Sequence, residues 1–289
     1  MTFATAPGGL GRAGRAFGPT IILPAVRHTA TLIMLHGLGD TGNGWAPVAP
    51  ELNLNHVKWV FPTAPTRPIT VNYGSKMPGW FDIDHLDEEA FRAMMNGHKG
   101  FDPEGTNEAI SYVTDLIAKE VESGIPANRI VVGGFSQGGH IALRTALQHP
   151  VKLAGCAALS TWLEPSPFEI PAANLNLPIF YGHGTFDPLI PAPIAQASNK
   201  VLEGRGIANV EFKMYPGMGH SSCPQELQDL KKFLLKTLPD TPVTKATPSK
   251  EDVEKMSTRE LKSFLQENGE TTAGLLEKSE LVAKALSLL

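Results

Sequence analysis

The stretch Ile130-Val131-Val132-Gly133-Gly134-Phe135-Ser136-Gln137-Gly138-Gly139 decides how the chain is read. It starts as a β-branched run, which favours a buried strand. It ends in a G-x-S-x-G pattern from Gly134 to Gly138, and a helix-like run, 140–148, follows. A serine between glycines at a strand-to-helix turn is a nucleophile elbow. The turn is tight, and the two glycines leave room where side chains would clash. The serine Oγ then projects above the carboxyl edge of the sheet. The first amides and the positive dipole end of the helix face a developing negative charge. The bare pattern also arises by chance in Gly-rich loops, so the strand before it and the helix after it carry the weight.

Upstream, residues 104–123 form the crossover into this strand. Ile110, Val113, Ile117 and Val121 recur there at helical spacing, and Gly124 and Pro126 end the run. Thr31-Leu32-Ile33-Met34-Leu35 reads as a buried strand running into His36-Gly37-Leu38-Gly39-Asp40. That turn lies at a strand's carboxyl end, where sites form in open parallel sheets. It can present a backbone N–H to an oxyanion. An ordinary βα loop is the plain alternative, and a phosphate-binding loop lacks its Lys-Ser/Thr ending. Residues 45–52 fit a short helix and 57–61 a strand, after which Pro62, Pro65 and Pro68 predict no regular structure. The long connection that follows carries Ile69, Val71, Tyr73, Met77, Trp80 and Phe81, which either line a groove for an acyl chain or cover the sheet.

Downstream come a strand over 153–159, a Pro-rich excursion over 164–178 and a strand over 179–182, which opens into His183-Gly184-Thr185-Phe186-Asp187-Pro188. A helix over 192–203 and a strand over 210–215 lead to Pro216-Gly217-Met218-Gly219-His220 and a final helix, 224–235. Singly, an Asp before Pro is a turn former and a loop His is merely exposed. Together, Ser136, Asp187 and His220 fall in the chain order of the α/β-hydrolase triad, each at or just past a strand end. The fold class is therefore α/β, with a mostly parallel central sheet flanked by helices. His36 and His183 are rivals for the base but belong to Gly turns earlier in the sheet, and His140 lies one helical turn past Ser136, pointing away.

The 289 residues suffice for one sizeable α/β domain and a small appendage. A net charge of -4 argues against a general nucleic-acid binder. No apolar run approaches the ~20 residues a membrane span needs. The two cysteines, Cys156 and Cys223, allow one disulfide but fit a reducing, cytoplasmic compartment better, and neither has metal-ligand spacing with histidines. Residues 1–20, rich in Gly and Ala, read as a flexible leader, with an organelle transit peptide as the alternative. Residues 21–238 form the catalytic domain and 239–250 a linker rich in proline and threonine.

Several separate blocks carry a resemblance. They are His36-Gly37-Leu38-Gly39-Asp40-Thr41-Gly42, Phe61-Pro62-Thr63-Ala64-Pro65, Trp80-Phe81-Asp82-Ile83, the run Gly124-Ile125-Pro126-Ala127-Asn128-Arg129-Ile130, the elbow, Leu159-Ser160-Thr161-Trp162-Leu163, His183-Gly184 with Asp187-Pro188, and Gly219-His220. In this order they resemble the acyl-protein thioesterase and lysophospholipase group of α/β-hydrolases, the phospholipase/carboxylesterase family. The resemblance implies Ser136 as nucleophile, His220 as base, Asp187 as its orienter, and the backbone N–H groups of Leu38 and Gln137 as the oxyanion hole. Trp80, Ile83, Trp162, Leu189 and Met218, in or beside these blocks, are the candidate substrate-binding residues. The family acts on thioesters of S-acylated proteins and on esters of lysophospholipids and small alcohols, with no metal or cofactor. The expected function is hydrolysis of acyl thioesters on proteins, with at most peripheral membrane contact. A lysophospholipase or short-chain carboxylesterase is the alternative, and a non-catalytic scaffold, which would lack a triad member, is the remote one.

Residues 251–289 read as a helical hairpin. Ser257-Thr258-Arg259-Glu260 is a capping box, Leu261, Phe264 and Leu265 make an apolar face, and Asn268-Gly269 stops the first helix. Residues 277–288 make the second. Glu267-Asn268-Gly269-Glu270 and Glu277-Lys278-Ser279-Glu280-Leu281 resemble the SAP-like hairpins of the ARMET/MANF type. Such motifs can bind DNA, but acids outnumber bases from Lys250 onward, the wrong sign for phosphate. A protein-docking module is the favoured reading, and a passive appendage the other.

Overall fold

A computed structural model of the chain describes residues 4–9, 15–97, 102–240, 249–268, 270–272 and 277–288. The chain divides into two compact units, 1–241 and 242–289. The first begins with β1 (Ala4–Ala6), β2 (Gly18–Leu23) and β3 (Ala30–Leu35), followed by α1 (Gly42–Trp45), α2 (Val48–Leu52) and β4 (Val57–Thr63). Next come β5 (Thr66–Ile69), β6 (Ser75–Pro78), α3 (Glu88–Met95), α4 (Pro103–Glu122), β7 (Ile130–Phe135) and α5 (Gln137–Gln148). It closes with β8 (Gly155–Leu159), β9 (Ile179–Gly184), α6 (Ala192–Gly204), β10 (Val210–Tyr215) and α7 (Pro224–Thr237). One sheet runs in the order β1-β2-β4-β3-β7-β8-β9-β10, and β5 and β6 form a separate ribbon. The sheet is parallel from β4 to β10, with β1 and β2 antiparallel at one edge.

The strand β7 lies inside the sheet, and Ile130, Val131 and Val132 are all fully buried. A strand covered on both faces reads as a continuous apolar run. Ile33, Leu35 and Val132 pack with Val113, Ile117 and Ile141 from α4 and α5. Leu32, Met34 and Val131 pack on the other face with Leu230 and Phe233 from α7. Asp102 caps α4, its Oδ1 accepting from the Gly105 N–H at 2.9 Å. The buried stripe of α4 is Ala109, Tyr112, Val113 and Ile117. Val121, expected on it, is 44% exposed; Glu120 is buried instead and accepts from Thr31 Oγ1 at 2.8 Å and Lys58 Nζ at 2.6 Å. The helix thus ends on a polar contact with the sheet.

Regular structure persists where the prolines predict none. β4 runs through Pro62 because its pairing with β2 is irregular between Gly18 and Ile21, and its pairing with β3 stops at Val60. No ladder asks Pro62 for an N–H. Pro68 lies in β5, which is paired on one side only. The first residues also differ from the expected leader. Ala4–Ala6 pairs with the segment 20–22, and Phe17 is buried with its ring stacked on Tyr112 at 3.6 Å between centroids. The helix expected over 45–52 is interrupted at Ala46-Pro47 and becomes α1 and α2.

The second unit contains α8 (Lys250–Lys255), α9 (Thr258–Glu267) and α10 (Lys278–Leu286). The Ser257 N–H donates to Glu260 Oε2 at 2.7 Å and the Glu260 N–H to Ser257 Oγ at 3.3 Å, which is the capping box read from the sequence. Val253, Leu261, Leu265, Leu281 and Ala285 form its buried core. The linker residues 241–248 and the stop at Gly269 lie outside the described residues.

One group under the sheet makes a stability prediction. Glu226 of α7 is fully buried and neither carboxyl oxygen has a hydrogen-bond partner. Burial pushes this carboxyl up to about 8 from its ordinary 4.5. The folded chain therefore keeps a proton that the unfolded chain releases, and stability falls as pH rises through that window. Glu226→Gln keeps the shape without the charge. It is expected to gain about 3 kcal/mol more over wild type at pH 8 than at pH 5, read by urea denaturation. An equal change at both pH values would mean the carboxyl does not hold its proton in the folded state.

Candidate active site

Ser136 sits between β7 and α5 with φ 54 and ψ −122, a conformation the neighbouring glycines permit. A Cβ at Gly134 would overlap the Gly138 carbonyl, and one at Gly138 would meet the carbonyls of Leu35 and His36. The serine is held on the far side by β8: its N–H donates to Leu159 O at 2.9 Å, and Thr161 Oγ1 donates to its carbonyl at 2.7 Å. The strain of such a residue persists because its surroundings over-determine it.

The loops after β9 and β10 are joined to each other. The Thr185 N–H donates to Tyr215 O and the Phe186 N–H to Met218 O, each at 3.0 Å, and the Gly217 N–H donates to Thr185 Oγ1 at 3.0 Å. The first loop carries Asp187 and the second His220. His220 Nε2 lies 2.9 Å from Ser136 Oγ, and its Nδ1 lies 2.7 Å from Asp187 Oδ2. The other oxygen, Oδ1, accepts from the Leu189 and Ile190 N–H groups, both at 2.9 Å. Burial alone would raise the Asp187 pKa, but the bonds from His220, Ile190 and Leu189 outweigh it and hold the carboxyl below its usual range.

The other histidines are occupied elsewhere. His36 Nδ1–H donates to Gly37 O at 2.6 Å, and its Nε2 accepts from the Ala64 N–H at 3.0 Å. His140 is buried beside Glu164, 3.3 Å away, and His183 Nε2 donates to Ile190 O at 2.9 Å. Burial lowers all three pKa values. Among the described residues, no group of three or more His, Cys, Asp or Glu side chains is placed to hold a metal ion, and no helix is long and apolar enough to cross a membrane. Cys156 and Cys223 are both free.

A cavity of about 380 Å³ opens at Ser136 and His220. Of the expected substrate-binding residues, Ile83, Trp162 and Leu189 line it, and Leu38 forms part of its wall. Trp80 and Met218 do not. Trp80 is 0% exposed and donates its indole N–H to His36 O at 2.8 Å; Met218, in the loop after β10, is buried among core residues. The groove-or-cover alternative divides residue by residue. Val71 lines the cavity, Ile69 and Phe81 are buried, and Tyr73 stands fully in solvent. Trp45, Leu86, Phe135 and Ile190 also line the cavity. The sequence marks none of them as lining: Trp45 on a helix and Phe135 at a strand end read as core, and Leu86 and Ile190 lie in loops with no local pattern that aims them at Ser136. Gln137 opens α5, where a helix's first N–H groups have no intrahelical partner.

The sequence profile of the phospholipase/carboxylesterase family matches residues 17–238. Acyl-protein thioesterase 1 of Cryptococcus neoformans var. neoformans is 44% identical over 234 residues, covering 75% of this chain and 96% of that protein. Acyl-protein thioesterase 1 of Neurospora crassa is 45% identical over 231 residues, covering 76% and 92%. Among crystal structures, acyl-protein thioesterase 2 of Zea mays superposes with a TM-score of 0.66 at 30% identity, covering 76% of this chain and 98% of that one. SOBER1 of Arabidopsis thaliana gives 0.64 at 32% identity, covering 72% and 99%.

Proposed function

Because the chain belongs to the phospholipase/carboxylesterase family of α/β-hydrolases, we propose that it removes fatty-acyl groups from cysteine thioesters of proteins, with Ser136, His220 and Asp187 as its catalytic groups. The observation that carries this reading is the continuous relay Asp187–His220–Ser136, at 2.7 and 2.9 Å, opening on an apolar cavity. The fungal and maize relatives named as acyl-protein thioesterases support a protein-bound thioester as substrate.

Serine is a weak nucleophile until a base takes its proton. His220 Nε2 accepts it as Oγ bonds to the thioester carbonyl carbon. The carbonyl oxygen becomes an oxyanion, and the Leu38 and Gln137 N–H groups are the donors proposed to hold it. The C–S bond then breaks, the proton passes from Nε2 to the cysteine sulfur, and an acyl-serine remains. Water gives its proton to His220 and attacks the acyl carbon. Collapse returns that proton to Ser136 and frees the fatty acid. A thiolate leaves with less protonation than an alkoxide, so thioester cleavage tolerates a weakened acid step better than ester cleavage does. Two free cysteines, one of them a core residue, support a reducing, cytoplasmic setting. The excess of acids over bases after Lys250 supports protein docking by the helical hairpin over nucleic-acid binding.

The test is turnover of a palmitoylated peptide beside a lysophospholipid at matched concentration. Faster peptide turnover is expected. Ile83→Trp, which fills the cavity, is expected to lower kcat/KM for the palmitoyl thioester at least about tenfold while leaving an acetyl thioester within about twofold. Turnover of the lysophospholipid alone would move the reading to lipid esters, and equal losses for both chain lengths would remove the cavity as the acyl site.

A further inference from the structure

The two proposed oxyanion donors come from different loops, Leu38 from the turn after β3 and Gln137 from the first turn of α5. Something must set the distance between them, because a misplacement of about 1 Å can cost a hundredfold in rate. The segment Pro78-Gly79-Trp80-Phe81 is bonded to both loops. Toward the first, Pro78 O accepts from the Gly39 N–H at 2.8 Å and the Trp80 indole N–H donates to His36 O at 2.8 Å. These bonds grip the Leu38 peptide on either side. Toward the second, the Trp80 N–H donates to Gln137 Oε1 at 2.8 Å, and Gln137 Nε2 donates to Phe81 O at 2.7 Å. Trp80, Phe81 and Gln137 are all 0% exposed, so water does not compete for these bonds. The Ala64 N–H, one residue past β4, donates to His36 Nε2 at 3.0 Å and fixes the same turn.

The geometry points to Trp80 as a positioning residue, the strut that sets the spacing of the oxyanion hole by holding the 36–39 turn against the elbow helix. This inference rests on the serine-hydrolase reading above and assigns Trp80 no contact with substrate. A strut of this kind affects the transition state more than the bound substrate. The carbonyl of the ground state needs no tight pair of donors, but the oxyanion does.

Trp80→Phe keeps an aromatic ring and removes the indole N–H. The expected result with a palmitoylated peptide is a fall in kcat of roughly 10- to 100-fold with KM within about twofold. Affinity for a long-chain trifluoromethyl ketone, which forms an oxyanion with the serine, is expected to fall by the same factor. Affinity for the matching alcohol, which forms none, is expected to hold. Where the Phe variant does not fold, 3-benzothienylalanine at position 80 supplies the same test, since it keeps the bicyclic volume without the N–H. An unchanged kcat, or equal weakening of ketone and alcohol, would overturn the strut. Failure of the wild-type protein to form the ketone adduct would overturn the serine-hydrolase reading itself, and the inference with it.

Discussion

Ser136→Ala is expected to lower kcat roughly a millionfold, the scale at which serine hydrolases lose rate when the nucleophile is removed. Labelling by a fluorophosphonate probe is expected to vanish with it. The hydroxyl is the only atom lost, and its partner in the relay is His220 Nε2 at 2.9 Å. The remaining β-carbon keeps the elbow as it was, including its strained backbone at φ 54 and ψ −122. Ser136→Gly separates chemistry from strain. It lacks the same hydroxyl but relaxes a conformation that costs a residue with a side chain about 1–3 kcal/mol, partly offset by the larger entropy a glycine loses on folding. Both variants are expected to be inactive, with glycine giving the higher Tm. Hydrolysis surviving in either would remove Ser136 as the nucleophile. A lower Tm for glycine would mean the elbow is not strained.

Why the elbow was legible and the strut was not is a matter of sequence distance. G-x-S-x-G between a β-branched run and a helix is local, and the steric need for Gly134 and Gly138 is contained in a few residues. Asp187 and His220 were legible through their place at strand ends, since a parallel sheet gathers those ends on one edge. Trp80 reads as groove lining or as sheet cover, because an aromatic in a long loop fits either. Its partners, His36 and Gln137, lie 44 and 57 positions away, and nothing local marks a buried indole as a donor to a turn. Pro62 inside a strand is hidden from the sequence for the complementary reason. Proline excludes a ladder hydrogen bond, and only the register shows that none is required there. The amphipathic period of α4 puts Val113 and Ile117 on the buried face but not Val121, because at that end of the helix the sheet offers Thr31 and Lys58 to the Glu120 carboxylate and turns Val121 outward.

Asp187→Asn is expected to lower kcat by about 10⁴ with little change in KM, although the two side chains are nearly the same shape. The reason lies in how the carboxylate is bonded. Oδ1 accepts from two backbone N–H groups, Leu189 and Ile190, while Oδ2 accepts from His220 Nδ1. An asparagine must place its carbonyl oxygen where Oδ1 was, since an NH2 group there would face two donors. Its NH2 then points at Nδ1 and donates, which requires Nδ1 to carry no proton. The neutral imidazole's proton moves to Nε2, facing Ser136 Oγ, where a lone pair is needed to take the serine's proton. The variant keeps its distances and has the wrong tautomer. Stability follows a separate rule. The folded carboxyl titrates below its ordinary 3.8, so its stabilisation is present above that value and is lost as pH falls beneath it. The stability gap between wild type and Asn is accordingly expected to narrow in acid. Steady-state kinetics with thioester and ester substrates, together with ¹⁵N NMR of the His220 ring, read both parts. An Asn variant within tenfold of wild type, or one whose ring still carries its proton on Nδ1, would show that Asp187 does not orient the base.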